Sequence, residues 1–190
     1  MWTDVSGSIS ARSGSRARAA RRWGIDVPAP ELAPEAILRV LAEHGVHYVL
    51  IGGFAAVIHG SPYVTVDVDV VPEITQENLE RLSDALHEMH ARVWTSDEPA
   101  GIPFDHDGGS LAESSVWHLV TDHGRLDITF VPPGTQGYSD LSHDAVHLAI
   151  LGVETDVASL ADVIRSKEAA GREKDRLVLP VLRRILDETP

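Results

Sequence analysis

The sequence predicts an α/β fold of the α+β kind, in which one mixed β-sheet is flanked by helices. Two observations lead to this prediction. Amphipathic helical stripes alternate with short β-prone runs up to about residue 91, and the chain then becomes β-rich before it ends in helices. Apolar residues make up 43% of the sequence, which is enough for an ordinary packed core, and there are no internal repeats.

Composition divides the 190 residues into a tail and one domain. Residues 1–30 are rich in Ser, Gly, Arg and Pro and are predicted to form a flexible basic N-terminal tail, with a single domain over 31–190. The tail is interpreted as a solvated extension first, and as a nucleic-acid-binding arm second. From Trp23 onward the chain carries 11 Lys/Arg against 28 Asp/Glu. Such an acidic body disfavours general binding of phosphate backbones and suits a cationic acceptor or a protein partner.

Several site classes are disfavoured by composition. There is no cysteine, so disulfides and cysteine-ligated zinc are excluded. Ten histidines are present, but none of them forms an H-x-x-x-H pair with a glutamate neighbour, so a zinc site is not expected. No run of about 18 apolar residues occurs, and the N-terminus lacks the pattern of a secretory signal, so a cytoplasmic protein is expected.

Local patterns set the expected elements. Pro34 suits a first helical turn, and Gly45 suits the end of that helix. Further helices are predicted over 54–59 and 75–91, from Ser159 to about Ala170, and at the C-terminus, where Pro180 requires a kink or a late start. Strands are predicted over 47–51, 63–71, 115–121, 125–131, 146–151 and 153–157. The segment 95–113 is expected to be a long loop, in which the acids are solvated or gate a cleft.

Two aspartates share one face of the second predicted strand. In the run from Val64 to Val70 every second residue is Val, which indicates one buried face, and Asp67 and Asp69 lie on the other. Carboxylates about 6.5–7 Å apart along a strand repel each other unless a cation lies between them. A solvated strand face is the plain alternative, but Asp is disfavoured in strands. The pair is therefore a candidate magnesium site, completed by substrate phosphates and water.

A strand that ends at Ile51 runs into Gly52-Gly53 and then into a short helix. Glycines allow close approach of a ligand to the backbone, and a helix N-terminus offers free N–H groups to an anion. A simple turn is the plain alternative. Thirteen residues separate Gly53 from Asp67, which is enough for one short helix and a return to the adjacent strand. That geometry places bound phosphates beside the two carboxylates.

These residues resemble the nucleotidyltransferase superfamily that includes DNA polymerase beta. The matching parts are Gly52-Gly53, the run from Thr65 to Val70, and Asp127 on a later strand. The resemblance implies a nucleotidyltransferase fold, and metal binding by Asp67, Asp69 and Asp127. It also implies that Asp127 binds metal or activates an acceptor hydroxyl, that Mg²⁺ or Mn²⁺ is the cofactor, and that a nucleoside triphosphate is the substrate. The nucleotide site would include Gly52, Gly53 and Thr65.

The segment from Leu160 to Asp175 carries two further candidates. Lys167 follows an apolar helical stripe, so it either extends past the core to solvent or enters the cleft to neutralise phosphate. Asp175 is either a helix N-cap or a site residue. The segment resembles abortive-infection and Men-type toxins, the nucleotidyltransferase halves of bacterial toxin–antitoxin pairs. That resemblance implies that Lys167, which would also bind nucleotide, and Asp175 complete the catalytic set.

Three function classes follow. The first is transfer of a nucleoside monophosphate to an RNA hydroxyl, at a tRNA 3′ end, by a toxin that has a cognate antitoxin protein. The second is the same transfer to a small hydroxylated molecule of the aminoglycoside or lincosamide type. The third is a non-catalytic regulatory module, which the three carboxylates argue against. The segment around Lys167 and Asp175 favours the first class, whereas the acidic body favours the second.

Overall fold

A computed structural model describes residues 30–188 of the chain. The predicted N-terminal tail therefore lies outside the described residues, apart from Pro30. Within 30–188, no helix combines the length and the apolar character needed to cross a bilayer.

Helices begin and end where their capping residues are placed. The helices are α1 Pro34–Glu43, α2 Gly52–Ile58, α3 Gln76–Glu88, α4 Gly108–Leu111, α5 Tyr138–Leu141, α6 Leu160–Ala170 and α7 Glu173–Glu188. Pro34 lies in the first turn of α1, and Gly45, just beyond its end, adopts a positive φ of 64°. The side chains of Thr75 and Ser159 accept backbone N–H bonds at the starts of α3 and α6.

The strands form one mixed seven-stranded sheet with the order β3-β4-β5-β2-β1-β7-β6. Its strands are β1 Tyr48–Ile51, β2 Asp67–Pro72, β3 Arg92–Val93, β4 Val116–Thr121, β5 Gly124–Thr129, β6 Val146–Ile150 and β7 Val153–Val157. At the centre, β2 runs antiparallel to β1 and parallel to β5. Helix α2 packs on β1, β2 and α6, and α6 packs on α7. The predicted fold class of one mixed sheet flanked by helices is confirmed.

The second predicted strand begins four residues later than expected. Val64 and Val66 are 93% and 65% exposed, so the prediction that every alternate valine is buried holds only from Val68 onward. The reason lies in the partner strands. Ladder pairing of β2 starts at Asp67, opposite the second residue of β5, and β1 ends opposite Asp69, so residues 63–65 lie beyond the ends of both neighbouring strands.

The loop predicted over 95–113 and the start of the last helix also differ from expectation. The short strand β3 precedes this loop, and the short helix α4 lies within it. Asp107 caps α4 reciprocally with Ser110, which gives this acid a structural role. Pro180 lies inside α7, so the predicted late start is wrong: the helix continues although the carbonyl of Arg176 receives no N–H from position 180.

Asn78 connects three segments beneath the sheet. It is 1% exposed, its Oδ1 accepts the backbone N–H of His47 at 2.7 Å, and its Nδ2 donates to the carbonyls of His47 and Glu73 at 2.9 Å each. These bonds join α3 to the start of β1 and to the segment after β2. Asn78 therefore links the start of β1 to the end of β2.

Replacing Asn78 by Ala should lower the free energy of unfolding by about 3 kcal/mol, because three part-buried hydrogen bonds are lost, although the His47 carbonyl keeps the N–H of Glu73. Urea denaturation would measure this. Gln76→Ala is the matched control, since the side chain of Gln76 bonds only to exposed Glu80, and it should change stability by less than about 0.5 kcal/mol. Equal effects of the two substitutions would contradict the role of Asn78.

Candidate active site

The register of three strands creates a polar row across the sheet. Asp69 on β2 pairs with Asp127 on β5, and Asp127 pairs with His118 on β4. Cross-strand partners project from the same face, so the three side chains form one row, and Asp67 and Arg125 form the row beside it. The sheet thus brings together the three aspartates that the sequence singled out.

The two glycines after β1 make room for polar side chains of the site. Gly52 has a positive φ of 72°, and a Cβ atom there would collide with the carboxylate of Asp69. A Cβ atom on Gly53 would lie 2.6 Å from Thr65 Oγ1, and the Gly53 N–H donates to Asp69 Oδ2 at 3.3 Å. The sequence interpretation assigned these glycines to phosphate. In the structure they first accommodate Asp69 and Thr65, and one of the backbone donors already serves Asp69.

Asp69 has a raised pKa in the cleft. Burial raises its pKa from 3.8 to about 7, and the negative charges of Asp67 and Asp127 add to the increase. The Gly53 N–H and the charge of Lys167 oppose it. A carboxyl in this environment favours either a proton or a nearby cation, which agrees with the chemistry expected from the sequence.

The remaining two aspartates are held by protein donors. Thr65 Oγ1 donates to Asp67 Oδ1 at 2.8 Å. Asp127 Oδ2 lies 2.9 Å from His118 Nδ1, and Asp127 Oδ1 accepts from Arg125 Nη2 at 3.4 Å. Each oxygen of Asp127 thus accepts one hydrogen bond and retains a further lone pair.

Metal binding by Asp67, Asp69 and Asp127 together stays a prediction. Among residues 30–188, no three or more histidine or carboxylate side chains are grouped so that they could hold an ion by themselves. Asp67 and Asp69 each accept a side-chain or backbone hydrogen bond on one oxygen, Oδ1 and Oδ2 respectively, and each has a second oxygen that can face a cation. Two carboxylates still suit magnesium, because it commonly takes one or two from the protein and completes its shell with phosphate oxygens and water.

Lys167 belongs to the cleft rather than to the outer surface. Its side chain is 11% exposed, and Nζ lies 3.3 Å from Asp175 Oδ1. Asp175 is only 1% exposed and also binds Arg172 Nε at 2.6 Å. Burial opposes ionisation of Asp175, but the Arg172 hydrogen bond and the charges of Lys167 and Arg172 outweigh it, so its pKa lies below the usual value. Asp175 is the third residue of α7 and not its N-cap.

All these groups border one cleft with two chambers. The larger, of about 370 Å³, is lined by every candidate site residue named from the sequence: Gly52, Gly53, Thr65, Asp67, Asp69, Asp127, Lys167 and Asp175. The smaller, of about 250 Å³, lies between the end of β5 and α6 and includes Thr129 and Ser166. Both chambers are bordered by Asp69 and Lys167. The cleft therefore has room for two groups on either side of this pair.

The sequence analysis did not single out His118, Arg125 or Trp94. His118 contacts Asp127 directly, with Nδ1 at 2.9 Å from Oδ2. The Arg125 guanidinium lies 3.9 Å from the ring centre of Trp94, and the backbone N–H of Trp94 donates to the His118 carbonyl at 2.8 Å. A signal was available, since the two-residue turn after Thr121 places residue 118 opposite residue 127.

Comparison with known proteins bears on the fold. No protein-family model and no curated protein sequence matches this chain. Among solved structures, the lincomycin-bound lincosamide antibiotic adenylyltransferase LnuA matches 82% of this chain and 99% of its own, with 14% identity and a TM-score of 0.55. The solution structure of the antibiotic-resistance factor ANT(2'')-Ia matches 79% of this chain and 80% of its own, with 14% identity and a TM-score of 0.51. The chain has the nucleotidyltransferase fold. At 14% identity, these structural matches establish the fold alone.

Gly52→Ala should displace Asp69, because the new methyl group needs the space of its carboxylate. We expect calorimetry to show at least a tenfold loss of affinity for magnesium and nucleoside triphosphate. Gly60→Ala is the control: Gly60 also has a positive φ, of 98°, but no atom of residues 30–188 lies within 4 Å of the position that a Cβ would take. Equal losses in the two variants would mean that backbone strain alone is responsible.

Asp69→Asn should stabilise the metal-free protein at high pH. The folded state raises the pKa of Asp69 from 3.8 to about 7, so it binds a proton more tightly than the unfolded chain does. Stability is therefore lost as pH rises from about 4 to 7, by at most roughly 4 kcal/mol. Asparagine cannot ionise, so the free energy of unfolding of the variant should exceed that of wild type clearly at pH 8 and much less at pH 4.5.

Urea denaturation in EDTA at the two pH values would test this expectation. Asp97→Asn, at an exposed position, is the control and should follow wild type at both. If Asp69→Asn raises the free energy of unfolding equally at pH 4.5 and pH 8, then ionisation of Asp69 does not destabilise the folded protein.

Proposed function

We propose that this chain is a metal-dependent nucleotidyltransferase, which transfers a nucleoside monophosphate from a nucleoside triphosphate to an acceptor hydroxyl. The observation that carries the proposal is the convergence of Asp67, Asp69 and Lys167 on one cleft, beside the Gly52-Gly53 turn. This convergence supplies adjacent carboxylates and one cation in the same cleft.

Asp67 and Asp69 would hold Mg²⁺ or Mn²⁺ together with triphosphate oxygens. Their fit is supported by the raised pKa of Asp69, since an added positive charge relieves the repulsion that raises it. When bound, the ion polarises the α-phosphate and neutralises the pyrophosphate that leaves. Thr65 keeps Asp67 oriented through its 2.8 Å hydrogen bond.

Lys167 would provide a further positive charge for the triphosphate. It borders both chambers, and its charge already acts on Asp69. Asp175 holds the ammonium group of Lys167 in place. Because Arg172 also pairs with Asp175, two cations face one carboxylate, and the cluster has a net positive charge. Asp175 is accordingly a positioning residue, whereas Lys167 contacts substrate.

We propose a small hydroxylated molecule as the acceptor. The described residues are strongly acidic, and the basic path that an RNA would require is interrupted: Arg165 is bound to Asp140 and Asp162, and Arg172 to Asp175. An extended polyanion needs several free cations along its track. Two proteins of similar fold are connected with antibiotics: LnuA, a lincosamide antibiotic adenylyltransferase with lincomycin bound, and the antibiotic-resistance factor ANT(2'')-Ia. This is compatible with a small acceptor.

RNA is the second candidate, as a tRNA 3′ end modified by a toxin that an antitoxin restrains. The observation that favours it is the Lys167–Asp175 pair at 3.3 Å in the cleft, within the segment that resembles the toxin subgroup. Lys174 lines the same chamber and would be the first cation available to a polynucleotide. A toxin of this kind would slow bacterial growth on expression, and Asp69→Ala would relieve the effect.

One assay tests the function and separates the acceptors. The full chain is incubated with Mg²⁺, each of the four α-labelled nucleoside triphosphates, and lincomycin, an aminoglycoside or purified tRNA. We expect one triphosphate to label a small acceptor, with loss of labelling in EDTA. Asp69→Asn and Lys167→Met should reduce the rate at least a hundredfold, because each removes a charge that acts on the phosphates.

Three outcomes decide between the classes. Labelling of tRNA alone would replace the small acceptor by RNA. Labelling that persists in EDTA would contradict the metal site. Absence of labelling with every acceptor, together with binding of nucleotide, would favour a regulatory module. Asp97→Asn serves as the control, since this exposed residue lies outside the cleft lining.

A further inference from the structure

Exposed apolar side chains are concentrated at one end of the larger chamber. Ten large apolar residues are exposed among residues 30–188, and four of them line this chamber: Tyr63, Val64, Val66 and Leu177. These four residues form the apolar end of the chamber. Three of them come from the segment between α2 and β2, and Leu177 comes from α7, so two separate parts of the chain contribute. Apolar side chains gathered in a concave site are typical of a ligand contact.

The internal packing of the protein does not account for this exposure. The segment 63–65 lies beyond the ends of both strands beside β2. Helix α7 buries Leu179 and Leu182, whereas Leu177 is 68% exposed and lines the chamber. Much of the surface of these side chains therefore stays in water after folding, and a molecule bound in the chamber would cover it.

The charges of the two chambers differ in a way that would orient a triphosphate. Asp69, Lys167 and Arg172 border both chambers. The smaller chamber adds two hydroxyl residues, Thr129 and Ser166, and no further charge. The larger chamber adds three carboxylates and one cation, from Asp67, Asp127, Asp175 and Lys174. The smaller chamber is thus the more positive one, and the outer phosphates, which carry most of the negative charge of the ligand, favour it.

The position of the phosphates leaves the larger chamber for the nucleoside. A nucleoside triphosphate carries its base and its outer phosphates at opposite ends, with the α-phosphate between them. Asp69 and Lys167 border both chambers, so an α-phosphate held there has the outer phosphates on one side and the nucleoside on the other. The apolar end then offers a surface that suits an uncharged aromatic ring.

We infer that the apolar end of the larger chamber is the nucleobase site of this protein. This inference rests on the proposed function. The ring of Tyr63 and the aliphatic side chains of Val66 and Leu177 would contact the base. Affinity for the base then comes mainly from stacking and from the apolar area that it covers.

Helix α7 offers a matched control for this site. Leu186 lies on the same helix as Leu177 and is also exposed, at 40%, but it lines neither chamber. Leu186→Asn therefore repeats the substitution Leu177→Asn on the same helix and away from the cleft. Because both leucines are exposed, neither substitution opens a cavity in the core.

Calorimetry of the full chain with Mg²⁺ tests the inference with two kinds of probe. The α,β-methylene analogues of ATP, GTP, CTP and UTP carry a base, whereas tripolyphosphate carries phosphates alone. For the analogue that wild type binds most tightly, Tyr63→Ser and Leu177→Asn should each raise the Kd by about five- to hundredfold, the usual range for a base stacked on a protein. The Kd for tripolyphosphate should stay within about twofold of wild type, because the phosphates do not contact the apolar end. Leu186→Asn should leave both Kd values unchanged.

The two probes separate failure of this inference from failure of the proposed function. Equal losses of analogue and tripolyphosphate affinity would mean that the substitutions disturb the phosphate site, and would overturn the inference. Unchanged analogue affinity would overturn it as well, and a raised KM for the acceptor in the same variants would assign the apolar end to the acceptor. A wild-type chain that binds tripolyphosphate and every analogue equally would have no base site but would keep the phosphate site. A wild-type chain that binds neither probe would remove the proposed function, and this inference with it.

Discussion

The structure depends on one electrostatic constraint: three carboxylates meet on the central strands of a sheet whose other face is apolar. Asp69 and Asp127 are directly opposed, and Asp67 lies beside them. Their charges repel, and burial adds to the cost for Asp69, whose pKa rises to about 7. Val68, Val70, Leu126 and Ile128 are fully or almost fully buried between and beside these acids. The packing of those apolar residues holds the acids together.

The donors around the carboxylates explain much of the local sequence. Thr65 serves Asp67, the Gly53 N–H serves Asp69, and His118 with Arg125 serves Asp127. Because side chains alternate along a strand, a register shift of one residue on β2 would turn both of its acids into the apolar layer. Register, and not proximity alone, is therefore what makes the site.

The fold and a good part of the site could be predicted from the sequence. Capping residues such as Thr75 and Ser159 mark helix starts locally, and the alternation in β2 places Asp67 and Asp69 on one face. The start of β2 could not be predicted, because it depends on where β5 begins. The short elements β3 and α4 depend on their neighbours rather than on a local pattern.

The charge partners were the least predictable part of the site. The bonds of Asp127 to His118 and Arg125 follow from hairpin register, which alternation within one strand does not reveal. The ion pair of Lys167 with Asp175 depends on how α6 turns into α7 at Gly171, which has a positive φ of 61°. Asp127 itself was singled out by family resemblance, since a lone acid on a late strand carries no signal of its own.

The parallel pairing of β2 with β5 has a consequence for the order of folding. The hairpins β4–β5 and β6–β7 join residues close in sequence, whereas Asp69 meets Asp127 across 58 positions of chain. Contacts of high sequence separation form late, because they require closure of a long loop. We therefore expect Asp127 to approach Asp67 and Asp69 only after the hairpins have formed, and the repulsion between these charges should slow the closure of this ladder.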